Sequence, residues 1–278
     1  MSLESMPLRS FFKIYLEFLL QLQVQDSVQI MSEFQPGTIY YEAAKKIEGK
    51  LCDVIDFVVL SQSWNQRQSN LCRMVETRPG ISLGNRNRGE SCAACGRKRN
   101  KATYVLAFSG PVYEPQWLVT QRLRTVGRTG GEEDVASSGE DESDSEHDQE
   151  GVPYSLCVGR FCCVRLMLYH AMTHFKWRVT ERLKREVEGR CASEERIAAV
   201  VGDDHLVSTL FNGFETLHDL SQHYISNRQP FSMDKCPEDL YSELKHLERS
   251  IWGVAKPAVE APVSSRETES PRQSEPSL

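Results

Sequence analysis

The amino-acid sequence predicts a mainly α fold with a small β-hairpin. Three observations carry that expectation. Apolar residues recur at helical spacing through most of the chain. One stretch, Ala102-Thr-Tyr-Val-Leu-Ala-Phe108, is rich in β-formers and runs into the turn residues Ser109-Gly110-Pro111. A third tract, 130–151, has no hydrophobic period and is expected to be disordered.

Two helices come first. Phe11, Tyr15, Phe18, Leu19 and Leu22 share one helical face, as do Tyr40, Ala44, Ile47, Leu51, Val54, Ile55 and Val58. Pro36-Gly37-Thr38 separates them and supplies a cap for the second. A shorter helix is predicted over 64–75, ending before Pro79-Gly80, and Cys52 and Cys72 are read as buried helical thiols. The strand over 102–108 is expected to pair with a return over 112–118. The longest helix is predicted over 162–188 with Gly189 as its stop. Its buried stripe would be Val164, Leu168, Ala171, Phe175, Val179, Leu183 and Val187, leaving Arg165, Lys176, Arg182, Lys184 and Arg185 on a basic outer surface. Ser193 caps a short helix to 201, and another runs over 205–224 with Leu206, Leu210, Phe214, Leu217 and Leu220 inward. Asp203-Asp204-His205 reads as its cap. A last helix is expected over 237–252, and the Pro-, Ser- and Glu-rich tail reads as disorder.

These elements divide the chain into a helical part over 1–80, a knuckle and hairpin over 81–128, an acidic insert over 129–152, the long helix and later helices of the same domain over 153–225, a possible last helix over 226–255 and a disordered tail over 256–278.

The formal charge of −6 conceals an uneven distribution. Residues 132–150 hold ten acids and no Lys or Arg; set apart, they leave 29 acidic residues against 33 basic ones. From 86 to 128 nine basic residues face two acidic ones, and from 160 to 190 eight face three. Ser137, Ser138, Ser143 and Ser145 each have an acid three residues later, which suits acidophilic kinases. The apolar run over 11–22 is interrupted by Lys13 and Glu17 and is too short to span a membrane. Nine cysteines in a chain with no evident secretory leader imply a reducing compartment, with thiols either buried or bound to metal.

Cys92-Ala-Ala-Cys95-Gly96-Arg97-Lys98-Arg99 has the form of a zinc knuckle, in which a tight turn points two thiolates the same way. His170 and His174 lie one turn apart on the long helix. Cys92, Cys95, His170 and His174 form the ligand set that needs least distortion for one structural zinc. The rival set takes Cys92, Cys95, Cys162 and one further group. Cys162 and His170 cannot share an ion along a regular helix, because eight residues separate them by about 12 Å. No Glu follows His170 as in a His-Glu-x-x-His protease helix, and the chain has no phosphate-binding Gly loop and no nucleophile motif. The expectation is therefore a protein without enzymatic activity.

The motifs Phe12-Lys-Ile-Tyr-Leu, Tyr40-Tyr-Glu-Ala-Ala-Lys-Lys-Ile, Ser61-Gln-Ser-Trp64, Cys92-x-x-Cys95 with Ala102 to Tyr113, Val-Gly-Arg-Phe-Cys162 and Tyr-His170-Ala-Met-Thr-His174-Phe-Lys resemble an uncharacterised C-terminal domain, domain of unknown function 4211. The resemblance spans roughly 10–225. It implies a nuclear, chromatin-linked protein without an assigned activity, and keeps Cys162, His170 and His174 all as candidate ligands. Lys98-Arg99-Asn100-Lys101 could serve nuclear import.

The expected function is a non-enzymatic nuclear zinc-binding interaction module. Arg97, Lys98, Arg99 and Lys101 would hold chromatin or nucleic acid with low specificity. The alternative is an adaptor whose acidic insert engages basic proteins such as histones. Neither a membrane nor a small-molecule substrate is expected.

Overall fold

The structure, a computed structural model, describes residues 5–24, 34–61, 64, 69–85, 91–97, 101–113, 118, 154–187, 194–225 and 236–253. The acidic insert, the four serines in it and the tail from 256 lie outside the described residues. Helix α1, Leu8–Val24, buries Phe11, Tyr15, Phe18 and Leu19 as its periodicity predicts, while Leu22 is only partly buried and Phe12, Leu16 and Leu20 are buried as well. Helix α2, Ile39–Val54, starts where Thr38 Oγ1 accepts the Tyr41 N–H at 3.4 Å, and it packs along α1. It runs into a π-turn over Ile55–Val59. Helix α3, Ser69–Thr77, follows.

The expected hairpin is a three-stranded antiparallel sheet. Strand β2, Tyr104–Ser109, lies between β1, Gly80–Asn85, and β3, Tyr154–Val158. Leu106 stands opposite Leu83 on one side and Leu156 on the other. Leu106, Phe108, Leu156 and Val158 are buried, so one face of the sheet belongs to the core. Strand β2 has β1 and β3 on its two edges, and the described residues of the expected return over 112–118 form no strand. Tyr113 N–H instead donates to Thr77 O at 3.0 Å, and 114–117 lie outside the described residues.

The predicted long helix is two helices, α4, Arg160–Thr173, and α5, Phe175–Val187. They meet at His174, whose backbone (φ −88, ψ 5) leaves helical geometry. Helix α4 is buried on nearly all sides, far beyond a single stripe. Arg165 ties it to the π-turn by donating to Val58 O and Val59 O at 2.9 Å and Leu60 O at 3.1 Å. These carbonyls close a helix and would otherwise lack donors. Helix α6, Glu194–Gly202, leads to Asp203, whose carboxylate caps α7, Asp204–Tyr224, by accepting the His205 and Leu206 N–H groups at 2.9 and 3.1 Å.

Helix α8, Pro237–Ser250, is part of the same core. Leu240, Leu244, Leu247 and Trp252 are buried, and Arg178 of α5 donates to Glu248 at 2.6 Å inside the protein. Gly213 of α7 permits this close approach, since a Cβ there would stand 2.7 Å from Ile251 Cγ2. Among the described residues, no helix is long and apolar enough to cross a membrane.

Candidate metal centre

The knuckle is built by a turn that only glycine closes easily. Gly96 has φ +62, and its N–H donates to Cys92 O at 2.8 Å. The turn is fastened to the sheet: Ala93 N–H donates to Cys157 O at 2.9 Å, and Ser91 bridges Lys101. Helix α4 then begins at Arg160, with Gly159 as its N-cap. Cys162 therefore sits in the first helical turn, where the chain passes directly from β3 into the core.

The potential ligand atoms of Cys92, Cys95 and Cys162 all lie within 4.8 Å of one another, and all three residues are buried. Tetrahedral zinc–thiolate bonds of about 2.3 Å place sulfurs about 3.8 Å apart, so the cluster has the right scale. Its surroundings favour thiolate. Cys92 is lowered to about 5, first by the hydrogen bond from the Cys162 thiol; burial opposes this, and the backbone N–H groups of Gly159, Cys95 and Ala94 add to it. The proton stays on Cys162, which is held up by the neighbouring Cys92 thiolate and by burial. The Trp64 indole N–H is buried without a hydrogen-bond partner among the described residues, and it lies where it favours a Cys162 thiolate. A metal-bound Cys162 thiolate would supply the acceptor that this donor lacks. Three cysteines thus fit a thiophilic cation such as zinc.

Of the two ligand sets weighed, the structure brings together the cysteines. Neither His170 nor His174 joins the group. The reason is the helix start: with α4 beginning at Arg160, Cys162 lies at the sheet and the histidines lie two turns and more farther on. There each imidazole closes the end of α3. His170 Nε2–H donates to Arg78 O at 2.9 Å, and His174 Nε2–H donates to Val75 O at 2.8 Å. These bonds leave His174 Nδ1 to accept from the Tyr113 hydroxyl. Burial first, then the neighbouring positive charges, hold both imidazoles neutral, His174 at about 3 and His170 well below its ordinary value.

Arg97 and Lys101 are exposed beside the knuckle, and Lys98 and Arg99 lie outside the described residues. A cavity of about 390 Å³ opens against the cluster, with Cys92, Gly159 and Cys162 among its buried lining and Lys101, Thr103 and Phe161 exposed. Trp64, Gly159 and this cavity were not read from sequence. The one available sign was Gly159 before a helical run, since glycine is an accepted N-cap.

The family model described as Domain of unknown function (DUF4211) matches residues 1–118, which covers α1 through β2 and includes Cys92 and Cys95. The resemblance is borne out over that part of the chain. No curated protein and no solved structure matches.

Proposed function

We propose that the protein is a non-enzymatic zinc-binding interaction module that holds nucleic acid or chromatin in the nucleus. The observation that carries the reading is the three-cysteine cluster, which anchors a turn bearing exposed Arg97 and Lys101 next to the start of α4. Zinc would be bound by Cys92, Cys95 and Cys162 and would fix that turn against the sheet and helix. Apparent binding free energies of about 10–16 kcal/mol for structural zinc are ample to do so. Fixed cations near a surface attract phosphate without reading bases.

What supports the non-enzymatic part of the reading is that, apart from the cysteines that would hold the metal, the described lining of the cavity beside the cluster contains no His, Asp or Glu to take a proton from an activated water. The test pairs metal analysis with binding. The purified chain should carry one zinc, and it should bind duplex or single-stranded oligonucleotides with an affinity that falls steeply between 50 and 200 mM salt. Neutralising Arg97, Lys98, Arg99 and Lys101 together should make that salt dependence shallower. A chain that carries zinc but binds no nucleic acid at low salt would overturn the reading. The ten acids over 132–150 favour a second reading, an adaptor for basic proteins. Deleting them raises nucleic-acid affinity under the first reading and abolishes histone binding under the second.

A further inference from the structure

The polar clusters deeper in the molecule are closed. The His170 and His174 N–H groups are used by carbonyls, and Arg178 is buried against Glu248. The sulfur cluster differs, because it is one donor short. Zinc takes four ligands, and three thiolates leave one position over. Among the described residues, no fourth His, Cys, Asp or Glu joins Cys92, Cys95 and Cys162. Cys157 and Cys163 are the nearest further cysteines along the chain, and neither belongs to the group. The cavity reaches the cluster at Cys92 and Cys162, whereas Cys95 and Trp64 are not part of its described lining. Lys101 and Thr103 are exposed at its mouth. Tyr104 stands along its wall, with its hydroxyl donating to Glu238 at 3.3 Å. The space, about 390 Å³, is ample for a five-membered ring.

Charge selects the ligand. A divalent cation on three thiolates carries one net negative charge, and a fourth thiolate would double it at a buried site, where charge is costly. A neutral imidazole adds no charge and completes a set of three cysteines and one histidine, which is common for zinc. We propose that the fourth position of the bound cation opens into this cavity and takes a neutral imidazole from outside the chain, such as a histidine side chain of a partner protein. The proposal rests on the zinc reading above and gives the interaction module a point of attachment that does not depend on its basic surface.

The experiment uses the full chain. X-ray absorption of the zinc-loaded protein should show three sulfurs at about 2.3 Å and one lighter atom at about 2.0 Å, without the outer-shell signature of an imidazole ring. Added imidazole should bring that signature in. In the cobalt-substituted chain, imidazole should shift the visible bands in a saturable manner, and 2-mercaptoethanol should bind more weakly. Thr103→Trp narrows the mouth and should weaken imidazole binding several-fold, with a cobalt content equal to that of the parent. The same shift with the blocked peptide acetyl-Gly-His-Gly-amide assigns the ligand to a protein; a shift with imidazole alone assigns it to a small molecule of the same chemistry. Four sulfurs, an imidazole signature before any is added, or bands unchanged at saturating imidazole would mean that the chain closes its own site. Each of these overturns the open position and leaves the zinc reading in place. Tighter binding of 2-mercaptoethanol than of imidazole overturns the choice of ligand. A chain that holds no metal overturns both readings.

Discussion

At one end of α4 Cys162 meets Cys92 and Cys95; at the other, eight residues on, His170 and then His174 meet the carbonyls of Arg78 and Val75. Both ends carry side chains that bind metals, and both groups are buried. They differ in what surrounds them. Cys92 receives N–H groups from the backbone, which favour negative charge, and Cys92 and Cys162 border a cavity. The histidines donate to carbonyl oxygens, which by themselves favour protonation, but burial first and then the buried cation Arg178 outweigh them and keep the imidazoles neutral. Spacing identifies residues that could bind a metal. The hydrogen-bonding environment decides which of them are available to do so.

The largest effect should come from the cysteines. Cys162→Ser should abolish zinc binding, and chelation of the parent chain should lower its Tm sharply or unfold the knuckle and sheet, given the size of structural zinc affinities. His170→Ala and His174→Ala should keep their zinc. A His174→Ala variant that folds but loses its metal would return that histidine to the ligand set and break the comparison.

The histidine variants should instead lose stability. Each leaves a buried carbonyl without its donor and opens a small void, a cost of about 2–4 kcal/mol. Denaturant melts of metal-loaded protein measure this directly. A loss under about 0.5 kcal/mol, which is usual for surface changes, would show that the two bonds contribute little to holding α3.

The pH dependence sharpens the same point. The folded-state values of both histidines are depressed, to about 3 for His174, from an ordinary 6.5. Their contribution is therefore fully present above pH 6.5 and lost as pH falls below it, down through the folded values. The slope is about 1.4 kcal/mol per pH unit for each histidine once below the unfolded value. His174, Arg178 and Lys245 all act on His170 in the direction of the neutral form. Stability measured from pH 7 to pH 5 should fall more steeply for the parent than for His174→Ala. Parallel curves would mean that His174 does not titrate differently in the folded and unfolded chain.

Much of this was legible in the residues. The apolar spacings located α1, α2 and α7, and Thr38 and Asp203 act as the caps their positions suggest. Strand β1, Gly80–Asn85, was not legible: its two glycines and an asparagine have little strand preference, and only Ile81 is buried. Its pairing with β2 bridges a long stretch of sequence, and so does the pairing of β2 with β3. A local turn signal such as Ser109-Gly110-Pro111 could not reveal either. The break at His174 has no Pro or Gly to announce it; Thr173-His174-Phe175 is an ordinary helical sequence locally. The first two cysteines were evident from their spacing. The third depended on where α4 begins, which tertiary context at Gly159 decides.

The smallest effect should come from Trp64, and it tests whether environment matters within the cysteine end itself. Its indole N–H is buried without a partner among the described residues, and it favours negative charge on Cys162. Trp64→Phe removes that N–H while keeping an aromatic ring in the core, where Trp64 also packs against Tyr169 at 6.5 Å. Groups that support a metal ligand without touching the metal typically account for about 10- to 100-fold in affinity. The expected result is zinc affinity lowered by about tenfold in competition with a chromophoric chelator, with the loss confined to the metal-bound form. Melting of the metal-free protein serves as the control, because lost packing would destabilise that form too. If the metal-free and metal-bound forms lose equal stability, Trp64 acts through packing alone, and the sulfur cluster draws its support only from the backbone N–H groups of Gly159, Ala94 and Cys95.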